Sequence, residues 1–270
     1  MKRTAISILA GLLLVEVAAA HDPVFGLGPH VLFKGGFETA IELHSARRGD
    51  ELENELGVEL TYGLTGDWAA GIELPLEAVA DAGAASGGLG DISVFTKWRF
   101  WRNDMPGAQE SAALLFKLIG DTGDDTRSPA LGTGTTDGIV GLAWGYESRR
   151  WYRWASLRYR QNGTDANGLQ RGDMMRLDLV GGIRLKRTGY LEPDMVWLLE
   201  LNGEYGKRAR LNGMDVANSG GTQWFVSPGI FWTYRNFAIK AGVQIPVYDD
   251  LNGSQQATDY RAQLVFEWHL

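Results

Sequence analysis

The chain has 270 residues, no cysteine, a formal net charge of −7 at neutral pH and a slightly negative mean hydropathy. The lack of cysteine excludes disulfide scaffolds and thiolate metal sites, and the acidic charge argues against nucleic acid as a partner. No Pro-rich, Ser-rich or like-charge run marks a linker, so we expect a single domain.

The first twenty residues have the pattern of a secretory signal peptide. Basic residues at 2–3 begin it, an apolar stretch covers 5–15, and small residues at 18–20 end it. The apolar stretch is too short for a membrane-spanning helix and Glu16 interrupts it, so we expect cleavage before His21. Removing two basic residues and one acidic residue changes the formal charge from −7 to −8. No later window is long and apolar enough for a membrane helix.

After residue 36, apolar and polar residues alternate with a period of two almost everywhere. In residues 55–62, for example, every second side chain is apolar, which places the apolar side chains on one face of a strand. The pattern predicts twelve strands, many of them long enough to cross a bilayer when tilted. They cover residues 37–44, 53–62, 68–77, 90–101, 110–119, 136–147, 151–161, 172–187, 196–207, 221–234, 237–248 and 258–270.

The connections alternate in length, as they do in a barrel with short turns on one side of the membrane and longer loops on the other. The longer connections are rich in Gly, Asn, Asp and Ser, and we expect them outside the cell. The short set is 63–67, 148–150 and 235–236, and the long set is 78–89, 120–135, 162–171, 208–220 and 249–257.

About twelve strands enclose a wide lumen that polar side chains must line, so we expect the polar face to point inward and the apolar face to meet lipid. The fold class is therefore all-β, a transmembrane antiparallel up-and-down β-barrel in the outer membrane. Aromatic residues near the predicted strand ends suit the interfacial girdles of such barrels. They are Trp68, Trp98, Phe100, Tyr146, Trp151, Trp197, Tyr205, Trp232, Tyr234 and Phe237.

The two ends of the mature chain differ from the rest. The last strand resembles the terminal signal of outer-membrane barrels, which implies the barrel-assembly machinery as a partner, although the chain finishes on Leu270 rather than on an aromatic residue. Residues 21–36 lack clean alternation, and we expect them either to plug the lumen or to lead into the barrel from the periplasm. The predicted organisation is a signal peptide (1–20), this N-terminal segment (21–36) and the barrel (37–270).

Five segments, largely in predicted loops and strand ends, resemble the outer-membrane "transporter" family that includes the meta-pathway phenol-degradation (MetA-type) barrel proteins. The resemblance implies a channel or uptake role, with passage of aromatic or other apolar compounds as a suggested role. It implies no catalytic residue and no cofactor. The segments are Gly-Leu-Gly-Asp-Ile at 88–92, Leu-Gly-Thr-Gly-Thr-Thr-Asp at 131–137, Ser-Arg-Arg-Trp-Tyr at 148–152, Asn-Ser-Gly-Gly-Thr-Gln at 218–223 and Gly-Val-Gln-Ile-Pro-Val-Tyr at 242–248.

Charged residues on the predicted inward face are grouped by strand. Acidic residues on the first three strands and basic residues on the following five predict a transverse field that sorts permeants. The alternative is a set of ion-pair ladders that only hold neighbouring strands together. The acidic candidates are Glu38, Glu42, Glu55, Glu59, Glu73 and Glu77, the basic ones are Lys97, Arg99, Lys117, Arg158, Arg160, Arg176, Arg184 and Lys186, and Glu200 and Glu204 follow on the ninth strand.

The leading prediction is a passive channel for small solutes, without enzymatic activity. An outer-membrane barrel enzyme resembling a lipase or deacylase is an alternative, but its base should lie near lipid, whereas His44 and His269 fall on the inward face. A structural or metal-binding barrel is a third class, with His21 and His30 as candidate copper ligands, because a terminal amine and an imidazole chelate copper together. The expected partners are membrane lipid, the assembly machinery and the solute.

Overall fold

A computed structural model describes residues 22–186, 188–189 and 191–270. The predicted signal peptide and His21 lie outside the described residues. Within that part of the chain, no helix is long and apolar enough to cross a membrane.

Twelve long strands follow one another along the chain and close into a barrel. Each strand pairs antiparallel with the next, and the last strand pairs with the first. Closure satisfies the backbone hydrogen-bonding groups that lipid leaves unsatisfied, and it removes the sheet edges. The strands are β1 (Phe37–Arg48), β2 (Glu51–Thr65), β3 (Trp68–Asp81), β4 (Ser93–Met105), β5 (Ala108–Ile119), β6 (Asp137–Ser148), β7 (Trp151–Gln161), β8 (Met174–Ile183), β9 (Asp194–Gly206), β10 (Gly221–Tyr234), β11 (Phe237–Leu251) and β12 (Tyr260–His269).

The twelve predicted strands are confirmed, but several boundaries were wrong, and two of them move predicted residues between strand and loop. The predicted loop at 78–89 is mostly strand, because β3 continues to Asp81 and pairs with a short strand, Ala84–Leu89. Ala82 and Gly83 turn the chain with positive φ values of 46° and 88°, as tight hairpin turns require. At the other boundary, β8 stops at Ile183, so Arg184 and Lys186 belong to the connection to β9 and not to a strand. Residues 169–170, 210–211 and 214–215 form a small separate sheet.

The connections alternate between the two ends of the barrel as predicted. At the end where β1 begins and β12 finishes, four of the turns contain two residues each, and we call this the short-turn end. The opposite, long-loop end carries residues 82–92, 120–136, 162–173, 207–220 and 252–259, together with a tight turn at 49–50. In outer-membrane barrels the short turns are periplasmic and the long loops extracellular.

The side chains are distributed as in a membrane barrel, with the apolar face outside. Leu118 and Leu199 are 59% and 58% exposed on the outer face, whereas Glu200, Ser227 and Asp178 point inward and are buried. A closed barrel with an apolar outer belt and a polar lumen is built to lie in the outer membrane, where the belt contacts lipid. The predicted inward direction of the polar face is therefore confirmed.

Aromatic side chains gather at the short-turn end of the barrel. Trp68 and Trp98 face each other across β3 and β4, and the ring centroids of Phe237 and Trp268 are 4.9 Å apart. Tyr205 lies instead at the long-loop end, so the predicted girdle is concentrated on one interface. Rings at this depth suit the boundary between lipid tails and water.

Candidate functional site

Seven of the eight predicted basic residues are held in ion pairs, three of them with a carboxylate on an adjacent strand. Such pairs connect strands and cancel charge locally. This pattern favours the ladder interpretation for the basic side of the lumen. The pairs are Lys97 with Asp22 (2.6 Å), Arg99 with Asp67 (2.8 Å), Lys117 with Glu73, Arg158 with Asp178 (2.7 Å), Arg160 with Asp137 (2.5 Å), Arg176 with Glu204 (3.0 Å) and, at the short-turn end, Arg184 with Asp194 (2.6 Å).

The acidic residues of β1 to β3 form a continuous patch. Glu59 lies directly opposite Glu73 in the register of β2 and β3, and Glu55 lies directly opposite Glu77. Like charges in facing positions destabilise a sheet. Among the described residues, Glu55 and Glu77 have no ion pair. The other acidic candidates have partners: Glu38 pairs with His269 (2.9 Å), Glu42 with His44 (3.0 Å), and Glu59 accepts a hydrogen bond from the Thr61 hydroxyl (2.9 Å).

In a closed barrel of twelve strands, β7 to β9 lie across the lumen from β1 to β3. Arg158 and Arg176 occupy facing positions of β7 and β8, so the predicted basic group exists. This group is more nearly neutral than the sequence pattern predicts, because Asp137 and Asp178, which were not among the predicted lumen residues, lie beside the arginines. Three further charged residues of the lumen follow the same alternation but were not predicted, namely Lys240, Glu267 and Arg261. Lys240 pairs with Glu267 (2.5 Å), and Arg261 pairs with the predicted Glu204 (2.8 Å).

A cavity of 660 Å³ opens at the long-loop end, and we call it the vestibule. Glu55 and Glu77 line one side of it, and Arg160 and Arg171 also contribute. The connection at 120–136 folds against the vestibule and buries the side chain of Leu131. The carboxylate of Asp91 holds this loop by accepting hydrogen bonds from the backbone N–H groups of residues 122, 123 and 133, at 2.7 to 3.1 Å.

Below the vestibule, residues 22–36 run through the barrel and contact its inner wall. The carboxylate of Glu200 accepts backbone N–H hydrogen bonds from Val24 (2.7 Å) and Gly26 (3.0 Å), and longer ones from Phe25. Arg158 donates to the carbonyl oxygen of Phe25 (2.8 Å). Val24 and Phe25 also pack against an apolar cluster made by inward-facing Tyr152, Trp154, Val180, Val196, Leu198, Phe231 and Ala238.

Glycines of the wall leave the space that this N-terminal segment fills. A Cβ atom added at Gly141 would lie 3.0 Å from Leu27 Cδ2, and one at Gly242 would lie 3.0 Å from Phe25 Cε2. At Gly145 the same atom would come within 2.9 Å of Pro29 Cγ. Larger residues at these positions would therefore compete with the segment for volume.

The charged residues of the N-terminal segment are buried against opposite charges. Burial disfavours the charged form of His30, but the attraction of Glu147 outweighs it and raises the pKa of the imidazole. Burial likewise opposes the charge of Asp22, but Lys97 beside it lowers the pKa of that carboxyl. Trp154 donates to the same oxygen of Glu147 that contacts His30.

The predicted copper site stays a prediction. His21 lies outside the described residues, and His30 Nε2 is in contact with Glu147, so copper binding through that nitrogen would displace this carboxylate. The residues that the structure describes contain no group of three or more His, Cys, Asp or Glu side chains suited to a metal ion.

The outer wall has an apolar groove of 840 Å³ that spans β9 to β12 and β1 to β3. The ladder between β10 and β11 pairs Val226 with Ile245 and then Gly229 with Gly242, without pairing in between. Pro228 lies in this gap, and proline has no N–H to give to a ladder. Gly229 and Gly242 line the groove on the outside, and a Cβ atom added at either glycine would lie 3.1 to 3.2 Å from the Val24 side chain on the inside. Only the backbone of these two strands separates the groove from Val24 here.

The chain matches a known family in sequence and known outer-membrane proteins in fold. The model of a family described as "Putative MetA-pathway of phenol degradation" matches residues 20–192, which is 173 of the 270 residues. No curated protein sequence matches the chain. Among solved structures, the COG4313 outer membrane channel from Pseudomonas putida F1 has 13% identity and a TM-score of 0.70, over 90% of this chain and 98% of that chain. The NanC porin has 11% identity and a TM-score of 0.52, over 86% of this chain and 100% of that chain. At these identities the likeness shows the fold.

Proposed function

This chain belongs to the family of the putative MetA-pathway of phenol degradation, and from that premise we propose that it is a passive outer-membrane channel for small solutes, including aromatic or other apolar compounds. The observation that carries the proposal is the vestibule of 660 Å³, which opens at the long-loop end and leads towards a polar lumen. A solute entering from outside the cell meets this space first.

Selectivity in this proposal comes from the vestibule charges. Glu55 and Glu77 have no cation partner among the described residues, whereas the lumen arginines are paired with carboxylates. A fixed charge changes the local ion concentration within a Debye length of about 8 Å at physiological salt. The unpaired carboxyl groups therefore set a preference for cations, and the paired arginines contribute less.

The N-terminal segment acts as a plug in this channel. Its support is the number of contacts that the inner wall provides: Glu200, Arg158 and Lys97 bind it by hydrogen bonds or ion pairs, and Gly141 and Gly242 leave room for its side chains. Conduction then requires the segment to move away from the lumen axis, so we expect low conductance at rest.

Apolar solutes leave by a different route from ions. The groove on the outer wall meets the lumen at the gap beside Pro228, where one layer of glycine backbone separates the groove from Val24 and Phe25. A solute that displaces those two side chains has apolar surroundings along its whole path from the lumen to the lipid. It therefore avoids the free-energy cost of passing through a polar exit on the periplasmic side.

An enzyme remains the alternative class. His30, His44 and His269 each contact a glutamate, so they are bound as charged or hydrogen-bonded pairs within the barrel rather than placed at the lipid surface. This arrangement favours the channel.

Single-channel recording of the purified protein tests the proposal. We expect small cation-preferring openings whose noise changes when an aromatic solute is added. The absence of any conductance or solute uptake by a folded barrel would overturn the channel function.

A further inference from the structure

A second, smaller cavity of 100 Å³ lies inside the barrel near its short-turn end, and we call it the acidic chamber. Residues of the N-terminal segment cover one side of it, and strands β1 to β4, β11 and β12 form the other. A single water molecule needs about 10–15 Å³ of such space, so the chamber has room for a small ion. The charged side chains that line it are Asp22, His30, Glu38, Glu59, Lys97, Lys240 and Glu267.

The acidic chamber contains a carboxylate without a cation partner. Within the described part of the chain, Glu59 has no ion pair, and it lies directly opposite Glu73 in the register of β2 and β3. His30 also lines the chamber, but Glu147 matches its charge. The chamber is therefore left with a net negative charge, which favours a cation inside it. The remaining pairs at its wall are Lys97 with Asp22 (2.6 Å), Lys240 with Glu267 (2.5 Å) and His269 with Glu38 (2.9 Å).

One carboxylate oxygen in the wall of the chamber is buried without a donor. Glu267 is 6% exposed, and its Oε1 contacts Lys240, whereas its Oε2 accepts no hydrogen bond from any residue that the structure describes. A buried acceptor without a donor is costly, so a molecule that brings N–H groups is favoured beside it. The ammonium groups of Lys97 and Lys240 already bind carboxylates of this chamber. A further ammonium group therefore suits the oxygen that remains.

The acidic chamber adjoins the vestibule. Glu59 lines the chamber and its facing residue Glu73 lines the vestibule, so the two spaces meet at this pair of side chains. A cation that enters past Glu55 and Glu77 thus stays beside carboxylates of β2 and β3 until it reaches the chamber.

We propose that the acidic chamber is a binding site for small protonated amines of the size of ammonium or methylammonium. The ammonium group donates to Glu267 Oε2, and the carboxylate of Glu59 balances its charge. Such a group has three or more N–H donors and can serve several acceptors at once, and charge-assisted hydrogen bonds of this kind are the strong ones. The inference rests on the proposed channel function for delivery of the amine, and it adds a solute class that differs from apolar compounds.

Methylammonium is the probe, and tetramethylammonium is the control ligand, with the same charge, a larger size and no N–H donor. Binding to the folded barrel is measured by calorimetry in an amine-free buffer at fixed ionic strength. We expect methylammonium to bind more tightly than tetramethylammonium, and Glu59→Gln to weaken methylammonium binding about tenfold. Glu53→Gln is the matched control and should bind as the unmodified protein does, because Glu53 is on the same strand and lines the vestibule instead of the chamber.

The Glu59→Gln barrel should fold, because the change removes one of two facing like charges and keeps an oxygen that can accept from the Thr61 hydroxyl. Equal methylammonium affinity of this variant and the unmodified protein, as expected if a proton already neutralises Glu59, would overturn the proposal. If the variant does not fold, the two ligands decide on the unmodified protein, and tetramethylammonium binding as tight as methylammonium would overturn it.

The same measurements separate the chamber from the channel. A barrel that conducts ions but does not bind methylammonium keeps the channel and loses the amine site. A barrel that binds methylammonium with the expected dependence on Glu59, but shows neither conductance nor uptake, keeps the amine site and loses the channel.

Discussion

At the scale of single residues, the lumen contains carboxyl groups with a cation partner and carboxyl groups without one. Glu204 is held by Arg176 and Arg261, so its field at a distance is largely cancelled. Glu55 and Glu77 face each other on β2 and β3, and neither forms an ion pair with another residue that the structure describes. A permeating ion should therefore respond more to the second kind than to the first.

Neutralising the unpaired and the paired groups separately tests this difference. We expect Glu55→Gln with Glu77→Gln to shift the reversal potential in a salt gradient towards anion selectivity, and to lose that effect at high salt because of screening. Arg158→Gln with Arg160→Gln should shift it towards cations by a smaller amount, since each arginine is paired with a buried aspartate. A larger shift from the arginine pair would support the transverse field between acidic and basic strands that the sequence pattern predicts. If both variants fold and neither changes the reversal potential, all of these charged residues serve only to hold neighbouring strands together.

The contact of His30 with Glu147 predicts a pH dependence. The pKa of His30 is raised above its usual 6.5, so protonated His30 stabilises docking fully below that pH, and the stabilisation is lost as pH rises through the raised pKa. Asp22 and Lys97 also face His30, and Lys97 lowers the pKa of the Asp22 carboxyl. We expect channel openings to become more frequent with rising pH and the His30→Gln variant to lose this dependence. Openings that vary with pH equally in both proteins would assign the effect to other groups.

At the scale of strands and segments, alternation in the sequence predicted all twelve strands, because in a membrane barrel each strand must separate a lipid face from a water face. The same alternation placed Glu42, Lys117 and Arg176 inward. It could not give ion-pair partners, which depend on register between strands far apart in sequence, as between Arg261 and Glu204. Asp178 follows the parity of Arg176 and could have been found.

The position of residues 22–36 could not be predicted from a sequence pattern. The segment has no regular strand pairing of its own along most of its length, and its contacts come from eight different strands folded around it. The signal that exists is indirect: Gly141, Gly145 and Gly242 occupy inward positions where a barrel without a filled lumen would carry polar side chains. Inward glycines in several strands therefore indicate that something else fills the space.

Filling one of these spaces should displace the N-terminal segment. In Gly141→Leu the new side chain meets Leu27, and overpacking of this kind costs about 1–3 kcal/mol, so we expect higher conductance and easier proteolysis near residue 27. Gly181→Leu is the matched control, because a Cβ atom at Gly181 has nothing within 4 Å. Equal conductance of the two variants would contradict a plug held by close packing.

The gap beside Pro228 predicts a route that can be closed reversibly. Ser227→Cys with Gln244→Cys places two thiols across the unpaired stretch of β10 and β11, and the chain has no other cysteine to interfere. We expect oxidation to reduce uptake of an apolar aromatic solute while ion conductance stays the same, and a reductant to restore uptake. Loss of both activities together would place ions and apolar solutes on one path.

At the scale of the whole molecule, closure of the sheet and filling of the lumen reinforce each other. The antiparallel ladder is continuous from β1 through β12 and back to β1 apart from its bulges and the gap beside Pro228. Inside it, the N-terminal segment connects β4, β6, β7 and β9 through Asp22, His30, Phe25 and Val24. The barrel is thus braced across its interior as well as around its circumference.

A closed and braced barrel should resist unfolding by detergent. A strand cannot peel from an edge because no edge exists, and each backbone group exposed in lipid would cost several kcal/mol. We therefore expect the protein to fractionate with outer membranes and to migrate faster in an electrophoresis gel without heating than after boiling, as a compact folded barrel does. The Gly141→Leu variant should keep this shift, since displacing the segment leaves the twelve-strand ladder intact, but should need a lower temperature to lose it. Recovery of the unmodified protein in the soluble periplasmic fraction, or identical migration before and after boiling, would contradict the membrane barrel itself.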